Sequence, residues 1–174
     1  MNNDSRILGG VGALFIALNF LPYVGALLSI AGVMFILVSV KKLAEEFKEP
    51  ELTSLFIKGI LISIIGSILG GAVLSAGAVP LAAGGGNGIS CIALIGLGSI
   101  IIWIANIFGM KFLKELFIRI GELTNNDLFI WAGKLFYWGA MATIILIGII
   151  VIWAGWVVLS IAYFTTPVKV QIDS

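Results

Sequence analysis

Apolar residues fill four long stretches of the chain, 7–40, 55–79, 89–110 and 128–164, and the polar residues gather between them. A transmembrane helix needs about 20 apolar residues, within a range of about 17–25. The second and third stretches each match one span. The first and fourth hold 34 and 37 residues, which suits two short spans each. Asn19, Pro22 and Gly25 punctuate the first. Proline removes an amide donor and disfavours helix in the residue before it, and glycine permits the sharp path that follows. The first stretch therefore divides into 7–21 and 23–40. The fourth has no such signal. Gly148 is its only pivot, between 132–147 and 149–164, and one long span remains the other reading.

Charge placement favours six spans. Every Lys, Arg, Asp and Glu lies in one of four segments: Asp4 and Arg6, residues 41–58, residues 111–134, and the tail with Lys169 and Asp173. The turns at 22–25, 80–88 and near 148 carry no charge. With six spans as three hairpins, all four charged segments share one face. Lys and Arg beside span ends mark the cytoplasmic side, so both termini are expected there. The N-terminus has no basic n-region, and residue 7 onward reads as a retained span rather than a signal peptide. The expected fold is an all-α polytopic bundle, a single integral membrane domain over 1–174.

Short interfacial helices are expected on the charged side. Lys41 and Lys42 precede Glu45 and Glu46 at helical spacing, and Pro50 ends that run. In 111–120, Leu113, Leu116, Phe117 and Ile120 make an apolar face, and Lys111, Glu115 and Arg119 a charged one. That pattern suits a helix lying at the interface, or else a solvated extension of the fourth span. Asn125, Asn126 and Asp127 offer a cap for the fifth. Trp131, Tyr137, Trp138 and Tyr163 are placed towards the inner interface, Tyr23 and Trp153 towards the outer one, and Trp103 and Trp156 are given packing alone.

Composition supports this layout. Of the 174 residues 60% are hydrophobic and 11% charged, against about 25% charged in soluble domains. Lipid must cover what charge does not. Net charge is +1, which gives no case for nucleic acid. Cys91 is the only cysteine and there is no histidine. No metal, cofactor or catalytic residues are expected: there is no His/Cys cluster, no Ser–His pair and no acid within a span to relay protons. Cys91 is read as a packing residue, Asn19 and Asn106 as polar groups near span ends, and Lys134 as a lysine that snorkels to the interface.

The candidate site is a stripe of small residues in the third span. Gly59, Ser63, Ser67, Gly71 and Ser75 recur every four residues, with Gly66 and Gly70 as a neighbouring pair. Small residues let helices approach closely, and in lipid that packing drives association. The stripe reads as ordinary packing within the chain, or as a homo-oligomer or partner interface, or as the lining of a path. Residues 82–88, rich in glycine, lack the lysine of a phosphate-binding loop and read as a turn. Gly12, Ala13 and Gly32 echo Gly139, Ala140 and Gly155, a weak internal repeat.

Several motifs resemble a prokaryotic, largely archaeal membrane-protein family, the domain-of-unknown-function family numbered 996. They are Ser5-Arg-Ile-Leu-Gly-Gly-Val-Gly-Ala-Leu, Leu21-Pro-Tyr-Val-Gly, Leu28-Ser-Ile-Ala-Gly, Lys41-Lys-Leu-Ala-Glu-Glu-Phe-Lys-Glu-Pro-Glu, Thr143-Ile-Ile-Leu-Ile-Gly and Gly155-Trp-Val-Val-Leu. The resemblance implies a multi-span membrane protein and supplies no activity or site residue. Function is therefore expected from the residues alone: a non-catalytic accessory or membrane-organising protein acting by helix packing. The alternative is a small homo-oligomeric channel or carrier for a small neutral solute.

Overall fold

The computed structural model describes residues 1–167; the tail charges Lys169 and Asp173 lie outside the described residues. Six α-helices follow one another: α1 (Asn3–Ala17), α2 (Gly25–Phe47), α3 (Glu51–Ala82), α4 (Gly88–Thr124), α5 (Asp127–Ala142) and α6 (Ile147–Thr165). Short 3-10 turns at Leu18–Phe20 and Thr143–Ile145 end α1 and α5. There is no strand among the described residues.

Consecutive helices pair as three antiparallel hairpins, and α1 also packs on α6 to close the ring. Five of the helices, α2 to α6, are long and apolar enough to cross a membrane, α5 together with its 3-10 turn. The chain is a multi-pass helical membrane protein. At 15 residues, α1 is about 22 Å long, short of a hydrocarbon layer of about 30 Å.

Local chemistry sets the ends. Tyr23 takes φ +67° beyond Pro22, and the Gly25 N–H donates to the Leu21 carbonyl. A Cβ on Gly25 would lie 2.0 Å from the Asn19 carbonyl oxygen, so only glycine starts α2 there. The 83–87 turn uses Gly84 and Gly86 at φ +69° and +85°, and Asn87 caps α4 by accepting from the Ile89 N–H at 3.1 Å. Asn126 caps α5 by accepting from the Leu128 N–H at 3.0 Å, and donates to the Ala162 carbonyl at 3.1 Å.

The fourth apolar stretch is two helices, and its break lies at 143–146 rather than at Gly148. Leu146 reverses the chain at φ +62°. Gly148 already belongs to α6, where a Cβ would lie 2.1 Å from the Gly139 carbonyl oxygen. Close packing, not the turn, requires that glycine. The expected short interfacial helices are absent as separate elements: 41–47 continues α2 and 111–124 continues α4. The reason is that Leu43, Leu113, Leu116, Phe117 and Ile120 are buried against other helices. Their apolar face meets protein, so nothing turns the helices to lie along lipid.

The buried core sits at one end of the bundle. Every helix contributes to it, with Ile36, Val40, Leu52, Phe56, Phe117, Phe129, Phe136 and Tyr163 among its members. The charged groups crowd the same end. Lys42 pairs with Asp4 at 2.8 Å across α1 and α2. Arg119 of α4 pairs with Glu51 of α3 and lies 3.9 Å from Glu49. Away from this end α3 and α4 pack chiefly on each other. Only 17% and 11% of their apolar windows are buried, against 28–33% in the other spans.

Candidate functional site: the α3–α4 seam, its outer face and a membrane cleft

The α3–α4 seam is made by glycines. Gly59, Gly66, Gly70 and Gly77 of α3 are buried, facing Cys91, Gly98, Ala105 and Gly109 of α4. At about 100° per residue, spacings of 7, 4 and 7 keep all four glycines within about 20° of one line. Two pairs are reciprocal. A Cβ on Gly59 would lie 2.9 Å from the Gly109 carbonyl oxygen, and one on Gly109 2.7 Å from that of Gly59. Gly70 and Gly98 relate in the same way, at 2.7 and 2.6 Å.

The candidate stripe is therefore split between two faces. A repeat of four advances about 40° per step, so Gly59 to Ser75 turns through about 160°. Gly59 and Ser63 face α4, where the Ser63 hydroxyl occupies the space a Gly109 side chain would need. Ser67 and Ser75 are exposed, and among the described residues nothing lies within 4 Å of a Cβ on Gly71. The Ser75 hydroxyl donates to the Gly71 carbonyl at 2.7 Å. Gly66 and Gly70, read as a neighbouring pair, belong to the true seam. Gly77 was not singled out, although the 7-4-7 spacing was available to find it.

The first hairpin uses the same device. A Cβ on Gly12 would lie 2.7 Å from the Gly32 carbonyl oxygen, and the reverse distance is 2.6 Å. At the far end Gly139 takes the matching contact, but with Gly148 rather than Gly155: a Cβ on Gly139 would lie 3.1 Å from the Gly148 carbonyl oxygen, the reverse distance is 2.1 Å, and Gly155 meets Phe136 instead. Tyr163, placed at the inner interface by sequence, is fully buried over Gly9 and stacks edge-on against Phe129 at 4.9 Å. Lys134 lies over the Trp131 ring at 5.2 Å, and Lys114 over Tyr137 at 4.7 Å. Cys91 is buried at the Gly77 crossing, and Asn19 is exposed at the first hairpin tip.

A cleft of about 580 Å³ separates α4 from the tip of the last hairpin, lined by Ser99, Trp103, Asn106, Thr143, Leu146 and Ile152, among others. The Trp103 indole N–H donates to the Ala140 carbonyl at 3.1 Å and ties the two walls. Ser99 and Thr143 donate to the Ile95 and Gly139 carbonyls, each at 2.8 Å, within their own helices. The Asn106 amide donates to the Ile102 carbonyl at 2.9 Å. Among the described residues no three His, Cys, Asp or Glu side chains are grouped to hold a metal ion.

No solved structure matches the chain. The uncharacterized protein MJ1644 of Methanocaldococcus jannaschii is 29% identical over 170 residues, covering 94% of this chain and 92% of that protein. A family model described as a protein of unknown function, DUF996, matches residues 28–157, and the chain belongs to that family.

Proposed function

We propose that the protein is a non-catalytic component of the cell membrane that acts by helix packing, as an accessory or membrane-organising subunit. The charged end of the bundle, with both termini, faces the cytoplasm, because Lys41, Lys42, Lys58, Lys111 and Lys114 stand at the span ends there. The observation that carries the reading is the outer face of α3. Ser67, Gly71 and Ser75 point away from α4, and among the described residues no group covers Gly71. Lipid tails are as apolar as leucine, so a small-residue face gains by admitting another helix. Its occupant is a second copy or another membrane protein.

The rival reading is a channel or carrier for a small neutral solute. Ser67, Gly71 and Ser75 lie on the outside of the chain, so a path along them runs between copies. Ser67→Leu separates the two. As an interface, the substitution dissociates the assembly in native gels of gently extracted protein. As a path, assembly survives and solute flux through liposomes falls. An assembly and a flux that both ignore Ser67→Leu refute the proposal.

A further inference from the structure

With the edge of the hydrocarbon layer set at the first charge of α4, the largely apolar cleft between α4 and the last hairpin falls within that layer. The charged part of α4 begins at Lys111. At about 1.5 Å per residue, Asn106 stands about 7 Å inside that boundary and Ser99 about 18 Å. Eleven residues of α4, 88–98, continue beyond the cleft, a further length of about 16 Å. Water-soluble ligands are therefore poor occupants, and the cleft draws on what dissolves in the membrane.

Its lining selects among those molecules. The cleft is bordered by aliphatic side chains of Ile102, Ile144, Leu146 and Ile152. Among the described residues no Lys, Arg, Asp or Glu lines it, so neither a carboxylate nor an ammonium group finds a counter-charge there. Ser99 and Thr143 give their protons to their own helices and ask for nothing more. Asn106 differs. Its carboxamide has four hydrogen-bonding positions, and its one described bond uses a single Nδ2 proton. The Oδ1 acceptor and the second Nδ2 proton remain, at a depth where unmet polar groups are costly. A hydroxyl group answers both, donating to Oδ1 and accepting from Nδ2.

We propose that this cleft binds an uncharged, membrane-dissolved alcohol, with its hydroxyl on Asn106 and its aliphatic body along Ile102, Ile144, Leu146 and Ile152. The volume, about 580 Å³, falls within the range of about 300–1,000 Å³ for small-molecule sites. The inference concerns α4 and the last hairpin, and it stands whether or not the outer face of α3 has a partner.

The test is photolabelling of the full chain in liposomes with a diazirine derivative of decanol, mapped by mass spectrometry. The expected result is saturable labelling within 99–106 and 143–152, displaced by decanol and not by decane. Asn106→Leu should weaken the competition by decanol about tenfold, the effect of losing one or two hydrogen bonds. If Asn106→Leu loses helical content, Asn106→Asp in its neutral form at low pH serves instead, since it keeps a donor and an acceptor and should retain labelling. Labelling that decane displaces equally, that never saturates, or that ignores the Asn106 substitutions would overturn the proposal.

Discussion

Gly70 and Gly98 lie so close across the α3–α4 seam that a methyl group on either would come within 2.7 Å of the other's carbonyl oxygen. That approach forbids any side chain at either position without moving a helix. It places the whole α3–α4 hairpin under the control of a few hydrogen atoms. Gly70→Val should therefore open the seam and destabilise the protein by about 1–3 kcal/mol, as overpacking does. A thermal melt in detergent checks it, with Gly71→Ala as the neighbouring control that meets open space and should melt like wild type.

The Tyr163 ring is fully buried, and its hydroxyl meets no hydrogen-bond partner among the described residues. The ring fills the space over Gly9, and the Ser39 hydroxyl donates to the Ser5 carbonyl at 2.6 Å. Tyr163→Phe should leave stability unchanged or raise it by up to about 1 kcal/mol, because an unmet buried polar group disappears. Tyr163→Ala should cost about 3–5 kcal/mol through the cavity it leaves. Chemical unfolding in mixed micelles distinguishes the two.

Arg119 is less than half exposed and reaches Glu49 and Glu51 near the start of α3. Solvent at this end screens the pairs, so Arg119→Gln should cost no more than about 1 kcal/mol, and salt should shrink the difference. Unfolding curves at low and high ionic strength test the sign.

The charged end carries the orientation. A reporter fused after Ser174 should be active on the cytoplasmic side, and Gly85→Cys in a Cys91→Ser background should react with an impermeant thiol reagent from outside. An external C-terminus contradicts the assignment.

Much of this architecture was legible in the chain. Proline and glycine at 22–25 and 80–88 marked two of the three hairpin turns, because they remove donors or permit left-handed backbone. The third turn lies a few residues before Gly148: Leu146 adopts φ +62°, with neither proline nor glycine at that position to announce it. The stripe of Gly59, Ser63, Ser67, Gly71 and Ser75 spans two faces of α3. Counting every fourth residue follows a line that drifts about 40° per step, so Gly59 and Ser75 end on different faces, while the 7-4-7 glycines stay on one. For the charged stretch 111–120 the sequence leaves an interfacial helix and an extension of the fourth span both open, because amphipathicity looks the same whether its apolar side meets lipid or protein. Residues Leu113 to Ile120 meet protein. The cleft had no signature at all, since it joins residues about forty positions apart.

The most direct measurement is native mass spectrometry of wild type and Gly71→Leu, each gently extracted from its own membrane. A stoichiometric partner or second copy is expected on the wild type, lost in Gly71→Leu while the melting temperature of the separated chain stays the same. A wild-type chain that flies alone, or a partner that Gly71→Leu retains, would contradict the claim that the outer face of α3 is where this protein works.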